Sequence, residues 1–138
     1  MKIESKCILI LPEDKKIIDT PLASFWFDEN ILYSIAKSIP RSMENIKESI
    51  QIIKQHLPGK KVCMIADTSN VKYYSIEMRD ELARSFLKEF RAVALVPCTR
   101  MGKIMGVLLL KRKKIFPVEV FHDLNEAKTW IKQYCNET

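Results

Sequence analysis

Glycine is scarce in this chain, with three residues in 138. Neither G-x-x-x-x-G-K-[ST] nor G-x-G-x-x-G occurs, which disfavours the loops that cradle phosphates and dinucleotides. Six prolines and few glycines also exclude a low-complexity chain. No apolar run approaches the roughly 20 residues of a membrane helix. The longest runs, such as Met105–Leu110, are the size of a strand or a helix face. The opening residues, Met1-Lys2-Ile3-Glu4-Ser5-Lys6, lack the long apolar region of a secretory signal. The expected location is therefore the cytoplasm, and the expected state of the cysteines is the free thiol. The four cysteines are Cys7, Cys63, Cys98 and Cys135, and no two form a C-x-x-C pair. That spacing disfavours a zinc site and a thioredoxin motif. Cys63, inside Val62-Cys63-Met64-Ile65, reads as a small core hydrophobe.

What is present is the balance of a soluble globular protein: 47% hydrophobic and 29% charged residues. The length fits one domain, residues 1–138, large enough for a real core. The net charge is +6, from 23 basic and 17 acidic residues. The lysines are spread out rather than gathered on one face, so nucleic acid is not the expected partner. One dense run, Lys111-Arg112-Lys113-Lys114, follows a helix-like segment, where the helix dipole favours cations.

The apolar spacing predicts an α/β fold. Residues 1–20 allow an N-terminal extension strand near Cys7–Leu11, ended by Pro12. Leu22–Phe27 and Ile31–Ile39 flank the turn Asp28-Glu29-Asn30 and read as a β-hairpin with one buried face. Ser42 is placed to cap a helix in which Met43, Ile46, Ile50, Ile53 and Leu57 share one side, stopped by Pro58-Gly59. Val62–Ala66 is a continuous apolar run, as in a strand covered on both faces. Ser75 caps a second helix with Leu82, Ala83, Phe86 and Phe90 on one face. Ala92–Val96 is another buried strand, and Thr99 opens a third helix to about Leu110. Phe116–Phe121 is a further strand. Asp123-Leu124-Asn125-Glu126 is a capping box that opens a last amphipathic helix. Strand–helix alternation implies parallel strands, with the hairpin as an antiparallel edge.

Three stretches carry a family resemblance. They are Phe25-Trp26-Phe27-Asp28-Glu29-Asn30-Ile31-Leu32, Ile65-Ala66-Asp67-Thr68-Ser69-Asn70-Val71, and the run from Pro117 to Ile131. Over about Leu22 to Tyr134 the chain resembles the small SpoIIAA-like, STAS-type domains found as single-domain bacterial proteins. The resemblance implies a mixed sheet with an N-terminal hairpin followed by alternating helices and parallel strands. It also implies signalling through protein–protein interaction. In the anti-sigma-factor antagonists of that group, a kinase phosphorylates a serine at the start of the second helix. Counted from Val71, the family's serine falls on Glu77 and its glycine on Met78, so a fixed carboxylate stands at that position here. Ser75 and Ser69 are the neighbouring hydroxyls, with Ser75 the candidate phosphosite.

The working surface implied by the resemblance is Thr68, Ser69, Tyr73, Tyr74, Ser75, Glu77, Met78 and Arg79, joined by Met101 and Met105 on the adjoining helix. Methionines adapt well to binding partners. The expectation is a non-enzymatic domain that docks a regulator or kinase-like protein, needs no metal or cofactor, and is compatible with homodimerisation. The alternative is a small-molecule or lipid carrier with an apolar pocket under the helix at 99–110. A cysteine hydrolase using Cys98 and His122 is a third reading, because the loops at the carboxyl ends of the strands bring them into one neighbourhood. The chain has no glycine-rich oxyanion loop to complete it.

Overall fold

The computed structural model describes residues 9–38, 42–70, 75–85, 89–96 and 117–135. The element order is β1 (Ile18–Asp19), β2 (Ala23–Asp28), β3 (Ile31–Ala36), α1 (Met43–Lys54), β4 (Val62–Asp67), α2 (Ile76–Ser85), β5 (Phe90–Leu95), β6 (Val118–Val120) and α3 (Leu124–Cys135). The six strands form one mixed sheet in chain order, β1-β2-β3-β4-β5-β6. The first two pairings are antiparallel and the next three parallel. No described helix is long and apolar enough to cross a membrane.

The hairpin forms because its turn suits two residues. Asp28 pairs with Ile31, so only Glu29 and Asn30 lie between the strands, both with positive φ, at 54° and 69°. Such a turn matches the twist of the strands it joins, and asparagine tolerates the left-handed region. The hairpin is buried on both faces rather than one. Ile31 and Tyr33 point to one side and Leu32 and Ser34 to the other, and all four are buried. Pairing of β3 with the central strand β4 places helices over both of its faces.

Caps define the helices. Ser42 Oγ accepts the Asn45 N–H at 3.0 Å and opens α1. Asp123 Oδ1 accepts the Asn125 N–H at 2.9 Å and opens α3. Both helices then bury a stripe: Ile46, Ile50 and Ile53 from α1, Ala127 and Ile131 from α3. Ser49 adds a polar tie, its Oγ accepting the Leu22 N–H at 3.1 Å beside the start of β2.

Strand alternation sorts the interior into two layers. On the first face, Leu32, Met64, Val93 and Leu95 meet Ile46, Ile50 and Ile53 of α1, and Met78 and Leu82 of α2 pack against that layer. On the second, Ile31, Tyr33, Cys63, Ile65, Ala92 and Ala94 meet Ala127 and Ile131 of α3. Full burial of an isoleucine such as Ile65 or Ile131 contributes about 1.5–3 kcal/mol.

Three further sequence expectations change. Phe90 does not extend the face of α2: it is fully buried and starts β5 opposite Val62. The described residues Leu9–Leu11 form no strand, and the extra strand of this region is the two-residue β1. Cys63 is not a free thiol: it is bridged to Cys135, 72 residues away in sequence, with a Cα–Cα distance of 5.9 Å. Only the packing of α3 across β4 brings these two positions together. The helix expected at 99–110 lies outside the described residues.

Candidate functional site

The carboxyl end of β4 is organised around a buried aspartate. Asp67 is 1% exposed, and its carboxylate accepts the N–H of Leu9 at 2.9 Å and the N–H of Ser69 at 2.9 Å. The first bond ties the segment before β1 to the central strand. The second closes a turn of Asx type immediately after the strand. Asn70 continues the loop and donates through Nδ2 to the Ala36 carbonyl at 3.1 Å, joining it to the end of β3. The chain therefore leaves the sheet by a defined path. Asp67 is a structural carboxylate whose two donors account for its burial.

The expected surface residues divide by exposure. Ser69 is 3% exposed, so it belongs to the loop interior rather than to a contact face. Thr68 is partly buried, and its Oγ1 has no hydrogen-bond partner among the described residues. Ser75 Oγ accepts the Met78 N–H at 3.1 Å and so acts as the cap of α2. Met78 is half-buried against the first layer. Glu77 is exposed in the first turn of α2, where its negative charge is favoured by the helix N-terminus. Tyr73, Tyr74, Met101, Met105 and the side chain of Arg79 lie outside the described residues.

One residue that the sequence reading passed over belongs with this group. Ile76, the first residue of α2, is 61% exposed. It lies two residues before Met78 and six before Leu82, away from the side on which those two pack against the first layer. Ile76 and Glu77 together present an apolar and an acidic side chain beside the Ser75 cap. Further along α2, Glu81 is held by Ser85 and Arg84, and its carboxyl lies below the usual range because of the Ser85 hydrogen bond first and Arg84 second.

His122 follows β6 and is exposed, while Cys98 lies outside the described residues. Among the described residues no group of three or more histidine, cysteine or acidic side chains could hold a metal. On the outer side of α3, Asn125, Glu126, Thr129, Trp130 and Gln133 line an open groove of about 370 Å³. The apolar pocket expected under the 99–110 segment lies outside the described residues.

No curated protein and no solved structure matches the chain. A family model does match, over residues 25–135, from β2 to the last residue of α3. The chain therefore belongs to the family described as Domain of unknown function (DUF7793).

Proposed function

We propose that the domain is a non-enzymatic, cytoplasmic interaction module of STAS type, which docks a regulatory protein through the start of α2. The observation that carries this reading is the exposed pair Ile76 and Glu77 at the head of α2, next to the loop that leaves β4. An exposed isoleucine supplies apolar contact area, and an adjacent carboxylate supplies a charge that orients a partner. The complementary patch on that partner is apolar with a basic rim.

The resemblance places a phosphorylatable serine at position 77, where this chain has Glu77. A carboxylate there gives the surface a permanent negative charge, so docking through it does not require a kinase. Ser75 is occupied as a helix cap, and Ser69 is buried. Both are poorer acceptors of phosphate than an exposed serine would be.

The test is affinity capture from the native cells with the full chain, Ile76→Ser and Glu77→Lys. Both positions are exposed, so neither change should unfold the domain. The expected result is a stoichiometric partner bound by the wild type and lost or weakened at least tenfold in each variant. Equal capture by all three would sink the assignment. A copurifying small molecule with no protein partner would favour a ligand carrier instead.

A further inference from the structure

We propose that Cys63 and Cys135 are a reversible thiol–disulfide pair that locks the last turn of α3 to β4, with Cys135 as the sulfur through which exchange enters. The bond joins a central strand to a helix end, and both are held in place by other contacts. β4 is paired with β3 and β5 along its length. α3 is anchored by Ala127 and Ile131, both fully buried, and by Leu124, Trp130 and Tyr134 packed against the same layer. The two Cα positions, 5.9 Å apart, are set by this packing and lie within the bridging range. The fold does not depend on the bond to bring its ends together.

Each sulfur also has a place in the reduced protein. Cys63 sits among Ile31, Ile65 and Ala92, where a thiol behaves as a small hydrophobe. Cys135 Sγ lies 3.0 Å from the carbonyl oxygen of Ile131, one turn back in α3. A bridged sulfur carries no proton, so that contact becomes a hydrogen bond when the thiol is free. Neither end is left unsatisfied by reduction.

The two sulfurs differ in access. Cys63 is 1% exposed, whereas Cys135 is partly exposed in the terminal turn. A dissolved disulfide such as oxidised glutathione therefore meets Cys135 first. The Cys135 thiolate attacks one sulfur of that disulfide, forming a mixed disulfide and releasing one glutathione thiolate. The Cys63 thiolate then attacks Cys135 Sγ and releases the second glutathione. The protein loses two electrons and two protons, and the glutathione disulfide takes them up as two thiols. Reduction runs through the same mixed disulfide in reverse.

What the lock controls is the order of the end of α3. Helix ends fray, and the last turn here has its covalent hold only in the oxidised state. Tyr134 and Trp130, with ring centroids 5.0 Å apart, lie on that turn and the one before it.

The experiment equilibrates the full chain over a range of reduced-to-oxidised glutathione ratios. Samples are quenched in acid, alkylated and mapped by peptide mass, and circular dichroism and amide hydrogen exchange are recorded at both extremes. The expected result is a Cys63–Cys135 peptide at the oxidising end and two alkylated cysteines at the reducing end, with the circular dichroism of the fold retained. Amides at 131–135 should exchange at least about tenfold faster after reduction. Glutathione should be trapped on Cys135 in Cys63→Ala, but not on Cys63 in Cys135→Ser. Should Cys63→Ala fail to fold, mapping the mixed disulfide during oxidation of the wild type answers the same point. The proposal is overturned by any of four results: no Cys63–Cys135 peptide at any ratio, pairing with Cys7 or Cys98 instead, a bridge that glutathione cannot open in the folded protein, or unfolding on reduction. A glutathione adduct on Cys63 rather than Cys135 overturns the assignment of the entry sulfur.

Discussion

On one face of the sheet, α1 and α2 cover an aliphatic layer of Leu32, Met64, Val93 and Leu95. On the other, α3 lies over Ala92 and Ala94, beside a stacked Trp26–Tyr33 pair with ring centroids 5.6 Å apart, and is bonded to the strand beneath it. The contrast is written residue by residue into β5, where Ala92-Val93-Ala94-Leu95 alternates small and large. Small side chains let a helix lie close but bring less apolar area under it. The α3 face makes up area at its margins through aromatics: Phe121 and Trp130 have ring centroids 5.5 Å apart, and Lys128 Nζ lies 6.0 Å from the centre of the Tyr33 ring. Burial and two nearby carboxylates, Asp28 and Glu29, push the Tyr33 phenol above its ordinary range, with burial the larger cause. The first face is thus held mainly by apolar burial, Phe25 and Phe90 included, with the Ser49–Leu22 hydrogen bond as its polar tie. The other combines burial with polar and covalent ties, and its strength is open to change by solution conditions.

The sharpest way to break this comparison is to cut the anchor of each face. Ile53→Ala and Ile131→Ala both empty a site that is essentially inaccessible to solvent. Each should cost about 2–5 kcal/mol, read from urea unfolding. A cost under about 1 kcal/mol for Ile131→Ala would mean that α3 is not an integral layer.

Asp67 comes next in expected size. By alternation it shares the face of Cys63 and Ile65, and it satisfies the amides of Leu9 and Ser69. Asp67→Ala leaves two donors without their acceptor, at an expected cost of about 2–4 kcal/mol in the same measurement. Amide exchange at Leu9 and Ser69 should rise with it. A variant with wild-type stability and unchanged exchange would show that the ties are dispensable.

The caps allow a finer comparison, since one opens a helix on each face. Ser42→Ala and Asp123→Ala should each lower stability by about 1 kcal/mol. Thermal unfolding of the two variants and the wild type checks this. A clearly larger loss for Asp123→Ala would show α3 to be the more weakly held helix.

The smallest effect expected is electrostatic and lies at the sheet edge. Lys37 bonds Asp19 at 2.9 Å, and Ser24 donates to the same carboxylate. These hydrogen bonds, Lys37 first, hold the Asp19 carboxyl below its ordinary range. The folded value is depressed, so the stabilisation is present above the ordinary carboxylate pKa and is lost as pH falls through the folded value. Asp19 is 66% exposed at its side chain, so solvent screens the pair and the contribution is about 0.2–1 kcal/mol. Asp19→Asn should show that loss at pH 7 and none well below about pH 4, in urea titrations at both values. A pH-independent difference would assign the effect to something other than charge.

Local patterns predicted α1 and α3 closely because their evidence is local. Ser42 and Asp123 stand directly before periodic apolar stripes, and a cap and a stripe need no distant partner. The hairpin was equally legible from its turn. The burial of both its faces was not, because alternation in Ile31–Ala36 records which side is more apolar and not how many sides are covered. Phe90 was misplaced for a related reason: a phenylalanine four residues after Phe86 continues a helical spacing, and only pairing with Val62 makes it a strand residue. Of the candidate site, Glu77 and the Ser75 cap were readable from the start of α2. The burial of Ser69 depended on the turn that Asp67 closes directly after β4.

The sequence by itself determined the α/β class, the hairpin, the starts of α1, α2 and α3 and the alternation of small and large side chains that distinguishes the two faces. These follow from hydrogen-bonding and packing preferences that act within a few residues. Tertiary structure alone decided which distant groups meet. It carried Leu9 to Asp67 and Cys63 to Cys135, and so turned a buried carboxylate into a tie and two cysteines into a bridge. The physical reason is range: a residue's spacing fixes its face, but its partner is fixed by where the rest of the chain brings the opposing layer.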